Sequence, residues 1–185
     1  MNIYFTASAR ASNDQKNHHP FIYKTIVELG HIHIDDYKIN SDHEKFYSSK
    51  DFLKANVYKS ALNFVKQADL VILEVSTHSL TMGYLIKHAI DVHTPIIALH
   101  IKEHSPGFIL GIENDAFQLI EYNKENLKNK LKNAISYVEN LEDVRFNLML
   151  SPKVNVYLTE AAKEVNLSKA KFIRNLIKEH QKNRE

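Results

Sequence analysis

A short apolar run, a polar turn and a second apolar segment constrain this chain more than any other stretch. Residues 70–73 are four consecutive apolar side chains, two of them β-branched, which is typical of a central parallel strand covered on both faces. The polar residues 76–79 follow, and Ser79 is placed to be the N-cap of a helix beginning near Leu80. Ligands bind at such a turn in open α/β sheets, because helix N-termini and free backbone N–H groups point into it. We therefore expect a small-molecule site here.

Strand-like and helix-like segments alternate along the first 141 residues, which predicts a parallel sheet with right-handed crossovers. The predicted strands lie at residues 2–6, 31–35, 70–73, 96–99 and 117–120, and the predicted helices at 20–29, 50–67, from about 80, and after an N-cap at Asn123. Residues 8–19 are interpreted as a loop, and residues 36–49 as a long loop that could act as a lid. Five strands in about 140 residues favour an α/β fold with a flavodoxin-like doubly wound parallel sheet.

The charge of the chain is divided unevenly. From residue 143 onward there are nine Lys/Arg against five Asp/Glu, so this tail has a net charge of +4. The whole chain has a net charge of +2, so the first 142 residues have a net charge of −2. A basic tail on a slightly acidic body points to a polyanionic partner for the tail. The chain has no cysteine, which fits a cytoplasmic location, and no run approaches the ~20 apolar residues of a membrane span. We expect no membrane association.

The stretch from Ala68 to Leu85 reads A-D-L-V-I-L-E-V-S-T-H-S-L-T-M-G-Y-L. It resembles, in register and without a gap, the pattern A-D-V-V-V-A-E-V-T-Q-P-S-L-G-V-G-Y-E of the nucleoside 2-deoxyribosyltransferase superfamily, and most closely the 2'-deoxynucleoside 5'-phosphate N-hydrolases. The first-strand pattern of that family, Y-F-x-G-S-x-R, is echoed from Tyr4 to Arg10. The resemblance covers residues 1–141 and implies a nucleoside deoxyribosyltransferase-like domain.

Two carboxylates of that family pattern are missing. The family nucleophile is the glutamate after G-Y, and Leu85 stands in its place; the second carboxylate falls on Ala61, and Thr81 replaces a glycine. Glycosidic chemistry uses such carboxylates, so the resemblance implies a pocket that binds a nucleotide without cleaving it. Glu74 is a weak candidate for a relocated catalyst. The residues predicted to bind ligand are Tyr4, Ser8, Arg10, Ser76, Ser79 and Gly83, although Ser79 could be a helix cap alone and Arg10 a solvated loop residue.

Residues 142–185 change character. Arg145 to Leu150 alternates polar and apolar side chains, and two short amphipathic segments follow at about 153–165 and 168–181. This pattern resembles a ribbon–helix–helix module of the Arc/MetJ type, an intertwined dimer whose paired strands enter the DNA major groove. The resemblance implies DNA contacts by the side chains of Arg145, Asn147, Met149, Ser168 and Lys169. It also implies a homodimer through residues 144–182, which could pair further into a tetramer.

These predictions combine into a cytoplasmic DNA-binding transcriptional regulator whose first domain is an inactive nucleotide sensor. Two alternatives remain. The first is a divergent nucleoside or nucleotide N-glycosidase or deoxyribosyltransferase that uses another carboxylate, such as Glu74. The second is a dimeric protein-interaction or antitoxin component, in which the tail only dimerises. The chain has eleven histidines, but the pairs His18/His19, His31/His33 and His100/His104 lack a clustered carboxylate at ligand spacing. We expect no metal site, and we also expect no cofactor.

Overall fold

A computed structural model of the chain describes residues 1–35, 51–140, 148–165 and 167–183, with side chains omitted for residues 51–55, 171 and 178. The chain divides into two compact units, Met1–Arg145 and Phe146–Glu185. The division predicted from the sequence, between residues 141 and 142, stays a prediction. The predicted lid at residues 36–49 lies outside the described residues.

The first unit is built on five parallel strands in the order β2-β1-β3-β4-β5, which confirms the predicted fold class. The strands are β1 (Asn2–Ala7), β2 (Ile32–His33), β3 (Leu70–Glu74), β4 (Ile96–Ile101) and β5 (Phe117–Tyr122). The helices are α1 (Asn13–Lys16), α2 (His19–Glu28), α3 (Asp51–Gln67), α4 (Leu80–Asp91) and α5 (Leu127–Glu139), with a 3-10 turn at Gly107–Gly111.

Alternation of side chains along β3 divides the core into two layers. All five residues of β3 are buried. Leu70 and Ile72 pack with α2 and α5 on one face of the sheet, whereas Val71 and Leu73 pack with α3 and α4 on the other. Successive residues of a strand point to opposite faces, so the apolar run predicted from the sequence fills both layers at once.

Two local expectations of the first unit need correction. Residues 8–19 are not a plain loop, because a capping box between Ser12 and Gln15 satisfies the first N–H groups of α1. The helix expected after an N-cap at Asn123 instead has Asn126 at its N-cap. Asn123 turns the chain just before it, since its side-chain oxygen accepts hydrogen bonds from the backbone N–H groups of Glu125 (3.0 Å) and Asn126 (2.8 Å).

The second unit contains helices α6 (Pro152–Glu164) and α7 (Lys169–Lys182), close to the two predicted segments. The strand expected from Arg145 to Leu150 is not found in its described part, because residues 148–150 have no regular secondary structure. A strand needs a neighbour to complete its backbone hydrogen bonds, and no neighbouring strand lies among the described residues of this unit. Residues 145–147 lie outside the described part.

Apolar side chains on the second unit remain at its surface. Of its described residues, Leu158 and Ala162 are the buried apolar ones. The exposed ones include Val154, Tyr157, Leu176 and Ile177. Two helices of this length cannot bury a sizeable core alone. Among the described residues of both units, no helix is long and apolar enough to cross a membrane.

The homodimer expected through residues 144–182 stays a prediction, and it can be tested by sedimentation velocity. We expect the full chain to sediment as a dimer or a larger assembly. Replacing Leu176→Asp together with Ile177→Asp should give a monomer, because burying two carboxylates in an apolar interface is costly. Gln181→Asp, an exposed position on the same helix, is the control and should keep the wild-type sedimentation coefficient. A monomeric wild-type chain would contradict the prediction.

Candidate functional site

Polar side chains gather where the strands of the first unit end. Ala7, the last residue of β1, pairs with Glu74, the last residue of β3. Leu99 of β4 pairs with Glu74 from the other side. Because parallel strands bring their carboxyl ends to one edge of the sheet, the segments after these strands lie side by side. Ser8 and Ser76 therefore border the same edge.

Glu74 is the centre of this edge. Its side chain is only 1 % exposed. The carboxylate oxygen Oε1 accepts hydrogen bonds from both the hydroxyl and the backbone N–H of Ser76. The hydroxyl oxygen of Ser76 in turn accepts the backbone N–H of Ile101 at 2.8 Å. Because the Ser76 oxygen already accepts the N–H of Ile101, the proton of the Ser76 hydroxyl points to Glu74. One carboxylate oxygen is thus fixed in place, and the other is left to face its surroundings.

The second oxygen of Glu74 faces an aromatic and imidazole environment. Oε2 lies 3.8 Å from Nε2 of His19, which is also buried. Burial raises the pKa of the Tyr122 hydroxyl far above its usual value, and the negative charge of Glu74 and a hydrogen bond to its carboxylate raise it further. Tyr122 therefore stays protonated across the physiological range. The ring of His18 meets the ring of Tyr122 edge to face, with centroids 5.6 Å apart.

His18 joins this cluster from a part-exposed position. Burial lowers its pKa below the ordinary value, and the nearby charge of Lys124 lowers it further, while Glu74 and Asp14 act in the opposite direction. A neutral imidazole at neutral pH follows from this balance. His18 can then offer one nitrogen as an acceptor and the other as a donor.

Gln15 ties three loops of the same edge together. Its side-chain oxygen accepts the hydroxyl of Thr77 at 2.7 Å and the backbone N–H of Ser12 at 2.9 Å. Its side-chain nitrogen lies 3.5 Å from Nδ1 of His104. The loops after β1, β3 and β4 are therefore linked through one amide, which limits how far they can move apart.

The start of α4 has a different character. Ser79 occupies the N-cap position, as predicted, but its side chain makes no capping hydrogen bond. Gly83 lies exposed in the second turn of this helix. Leu85, at the position of the family nucleophile, is buried among Val71 and Leu73 in the layer between the sheet and α3 and α4. Glu74 faces the opposite layer, as shown by its approach to His19 of α2.

The other residues predicted to bind ligand differ in how deeply they are buried. Ser8 is buried, and its hydroxyl oxygen accepts the backbone N–H of Arg10 at 3.2 Å. The side chain of Arg10 is exposed beside it. Tyr4 is a core residue, 4 % exposed, with its ring 5.4 Å from that of Phe64. Ligand binding by these residues stays a prediction. The sequence interpretation missed Gln15, His18, His19 and Tyr122, although the capping-box spacing of Ser12 and Gln15 could have revealed the first.

The residues predicted to contact DNA are not brought together by the described structure. Arg145 and Asn147 lie outside the described residues. Met149 is 98 % exposed. Ser168 and Lys169 stand at the start of α7, where the Lys169 ammonium donates to the side-chain oxygen of Asn155 at 3.0 Å. Within the described parts of the chain, no group of three or more metal-binding side chains is arranged to hold an ion.

Comparison with known proteins gives one sequence relative to consider. Over 124 residues the chain is 27 % identical to "Putative 2'-deoxynucleoside 5'-phosphate N-hydrolase 1" of Syntrophotalea carbinolica, a match that covers 66 % of this chain and 84 % of the relative. Among solved structures, the CMP N-glycosidase of Clostridium botulinum aligns with a TM-score of 0.48 and 16 % identity, over 71 % of this chain and 97 % of that one. No family profile matches the chain.

The sequence match supports the prediction of a nucleoside 2-deoxyribosyltransferase-like domain in the first unit. The prediction of a DNA-binding transcriptional regulator is wrong, because the relative is named as a nucleotide N-hydrolase and therefore favours the glycosidase alternative. The resemblance of the tail to a ribbon–helix–helix module has no support from these comparisons. Six alternating residues and two amphipathic helices are compatible with many small helical units.

The role of Ser76 can be tested by Ser76→Ala. The variant removes the hydroxyl that donates to Glu74 and leaves the backbone N–H of Ile101 without its acceptor. We expect the free energy of unfolding to fall by about 1–3 kcal/mol, the usual cost of a buried polar group that loses its partner. Urea unfolding followed by circular dichroism measures this. Ser105→Ala, at an exposed position, should change stability little; equal stability of the two variants would contradict the assignment.

Proposed function

We propose that the first unit binds a nucleoside 5'-monophosphate at the carboxyl edge of its sheet and hydrolyses the N-glycosidic bond, with Glu74 as the working carboxylate. The observation that carries the proposal is the geometry of Glu74, which is buried and has one oxygen fixed by Ser76. The similarity to a protein named as a 2'-deoxynucleoside 5'-phosphate N-hydrolase supports the same class of substrate.

Leu85 replaces the glutamate of the family pattern, so the carboxylate for the proposed reaction has to be another one. Leu85 lies in the apolar layer against α3 and α4, and a leucine can neither attack a sugar nor stabilise positive charge. Ala61, at the second carboxylate position, packs against the same layer. Among the described residues, we therefore assign the glycosidic chemistry to the other layer, where Glu74 faces His19 and Tyr122.

Glu74 suits a reaction that develops positive charge. Breaking a glycosidic bond passes through an oxocarbenium-like state at the anomeric carbon, which a nearby carboxylate stabilises. In the proposed step, water adds its oxygen to the anomeric carbon and gives a proton to Glu74. The electron pair of the C–N bond goes to the base, which takes up a proton from solvent. Because Oε1 is already held, the carboxylate needs little reorganisation when the charge develops.

The phosphate end of the substrate is proposed to lie at the start of α4. The first backbone N–H groups of a helix and its dipole favour an anion. The Ser79 hydroxyl is not used for capping, and Arg10 offers a guanidinium from the neighbouring loop. Thr81 stands where the family pattern has a glycine, so the approach of phosphate to this turn differs from that of the family.

Base release from a panel of deoxyribonucleoside and ribonucleoside 5'-monophosphates, followed by chromatography, tests the proposal. The wild-type chain should release the base from at least one of them, and Glu74→Gln should lower kcat at least about 100-fold, as losses of catalytic groups commonly do. Glutamine keeps the acceptor oxygen for Ser76, so the fold should survive, as circular dichroism would show.

Leu85→Met is the matched control, because it changes the family nucleophile position without adding a charge or much volume. It should keep activity close to that of the wild type. No base release from any nucleotide, or full activity of Glu74→Gln, would overturn the proposal.

A further inference from the structure

His19 is a buried titratable side chain that the proposed hydrolysis does not yet use. It is 3 % exposed and is the first residue of α2. The fully buried side chains of Ile22 and Ile26 anchor this helix on the sheet. The ring of His19 also meets the ring of Phe5 in β1 edge to face, with centroids 6.5 Å apart. His19 is therefore held in place both by its own helix and by a neighbouring strand.

The ring of His19 faces the carboxylate of Glu74. Its Nε2 lies 3.8 Å from Oε2, which is within the distance of an ion pair and longer than a direct hydrogen bond. The imidazolium, and also the neutral ring with its hydrogen on Nε2, turn positive charge toward a neighbouring oxygen. The contact is thus electrostatic, and it acts on the oxygen that the two donors of Ser76 do not hold.

A carboxylate as deeply buried as that of Glu74 needs compensation for its charge. Removal from water disfavours the ionised form, whereas hydrogen bonds and opposite charge favour it. Ser76 and Tyr122 supply neutral donors to this carboxylate. In the described part of the chain, His19 is the basic side chain that lies within ion-pair distance of Glu74. It is therefore the member of this group that can add a full positive charge.

We infer that His19 is a positioning residue for Glu74, which orients the second carboxylate oxygen through Nε2 and favours the negative charge used in the hydrolysis proposed above. The role in hydrolysis rests on the proposed function, whereas the pairing of the two side chains does not. His19 exchanges no proton in the step, because the water proton passes to Glu74 and the departing base is protonated by solvent. A carboxylate that is already oriented reorganises less as positive charge develops at the anomeric carbon.

Urea unfolding of the full chain tests the pairing without turnover, through His19→Asn, Glu74→Gln and the double variant. Asparagine is too short to place a group at the position of Nε2. Side chains that interact give non-additive effects, so the unfolding constant of the double variant should fall short of the product of the single effects by about fivefold or more. His93→Asn replaces His19→Asn in the control cycle, which should be additive. His93 is exposed in the turn before β4, at a positive φ that asparagine also adopts.

Base release by the same chains tests the positioning role. His19→Asn should lower kcat about 10-fold to 100-fold, the equivalent of one interaction with a charged group. KM should change little, because His19 contacts the carboxylate and not the substrate. His19→Gln, whose amide N–H reaches about as far as Nε2, should recover part of the loss, and it replaces His19→Asn in both measurements if that variant does not fold. His93→Asn should keep the kcat of the wild type.

The outcomes distinguish failure of this inference from failure of the proposed function. Additive effects of the substitutions at His19 and Glu74 on unfolding would overturn the pairing, whatever the activity. Non-additive effects in a chain that releases no base from any nucleotide would support the pairing and overturn both the proposed function and the role of His19 in it. An active wild type whose kcat is unchanged by the substitution of His19 would overturn the positioning role and leave the proposed function standing.

Discussion

The hydroxyl of Ser76 is the interaction on which the edge of the sheet depends. It accepts the backbone N–H of Ile101 and donates to Glu74, so it joins β4 to the end of β3 through one atom. A carboxylate this deeply buried persists only when its oxygens have hydrogen-bond partners. Ser76 supplies two donors to one oxygen and leaves the other facing His19 and Tyr122. Both the orientation of Glu74 and the polar cluster beside it follow from this.

The two faces of the sheet differ in the side chains that they offer for chemistry. The layer against α3 and α4 holds Leu85 and is apolar at the position of the family nucleophile. The layer against α2 and α5 holds a carboxylate, two histidines and a tyrosine at the carboxyl edge. Alternation along β3 sends Leu73 to the first layer and Glu74 to the second. Chemistry on a bound nucleotide would therefore come from a different direction than in the family pattern.

The sequence predicts the sheet well because its strands are apolar runs set between helical periods. Residues 70–73 and 96–99 lie within observed strands, and five alternations were enough to identify the architecture. The site was harder to predict. His18, His19 and Tyr122 reach Glu74 only because α2 and β5 pack on the same layer, and Tyr122 is 48 residues from Glu74 along the chain. The spacing of residues in the sequence does not predict such a contact.

In the second unit, the secondary structure was easier to predict than the function. Its helices were predicted nearly to the residue, because amphipathic spacing and the Ser151-Pro152 start are local features. The DNA-binding hypothesis failed because it was built on a basic charge and six alternating residues. Those features describe a surface, and they do not specify what binds to it.

Binding of nucleotide to the first unit is the most direct test of the central claim, and thermal unfolding by calorimetry measures it without requiring turnover. The Glu74→Gln chain, which should bind without cleaving, is heated with a nucleoside 5'-monophosphate, with the same nucleoside lacking phosphate, and with inorganic phosphate. Ligand that binds only the native state at 100 times its Kd stabilises it by about 2.7 kcal/mol. The account predicts a higher unfolding temperature with the nucleotide than with either fragment. An unfolding temperature that no nucleotide changes would contradict it.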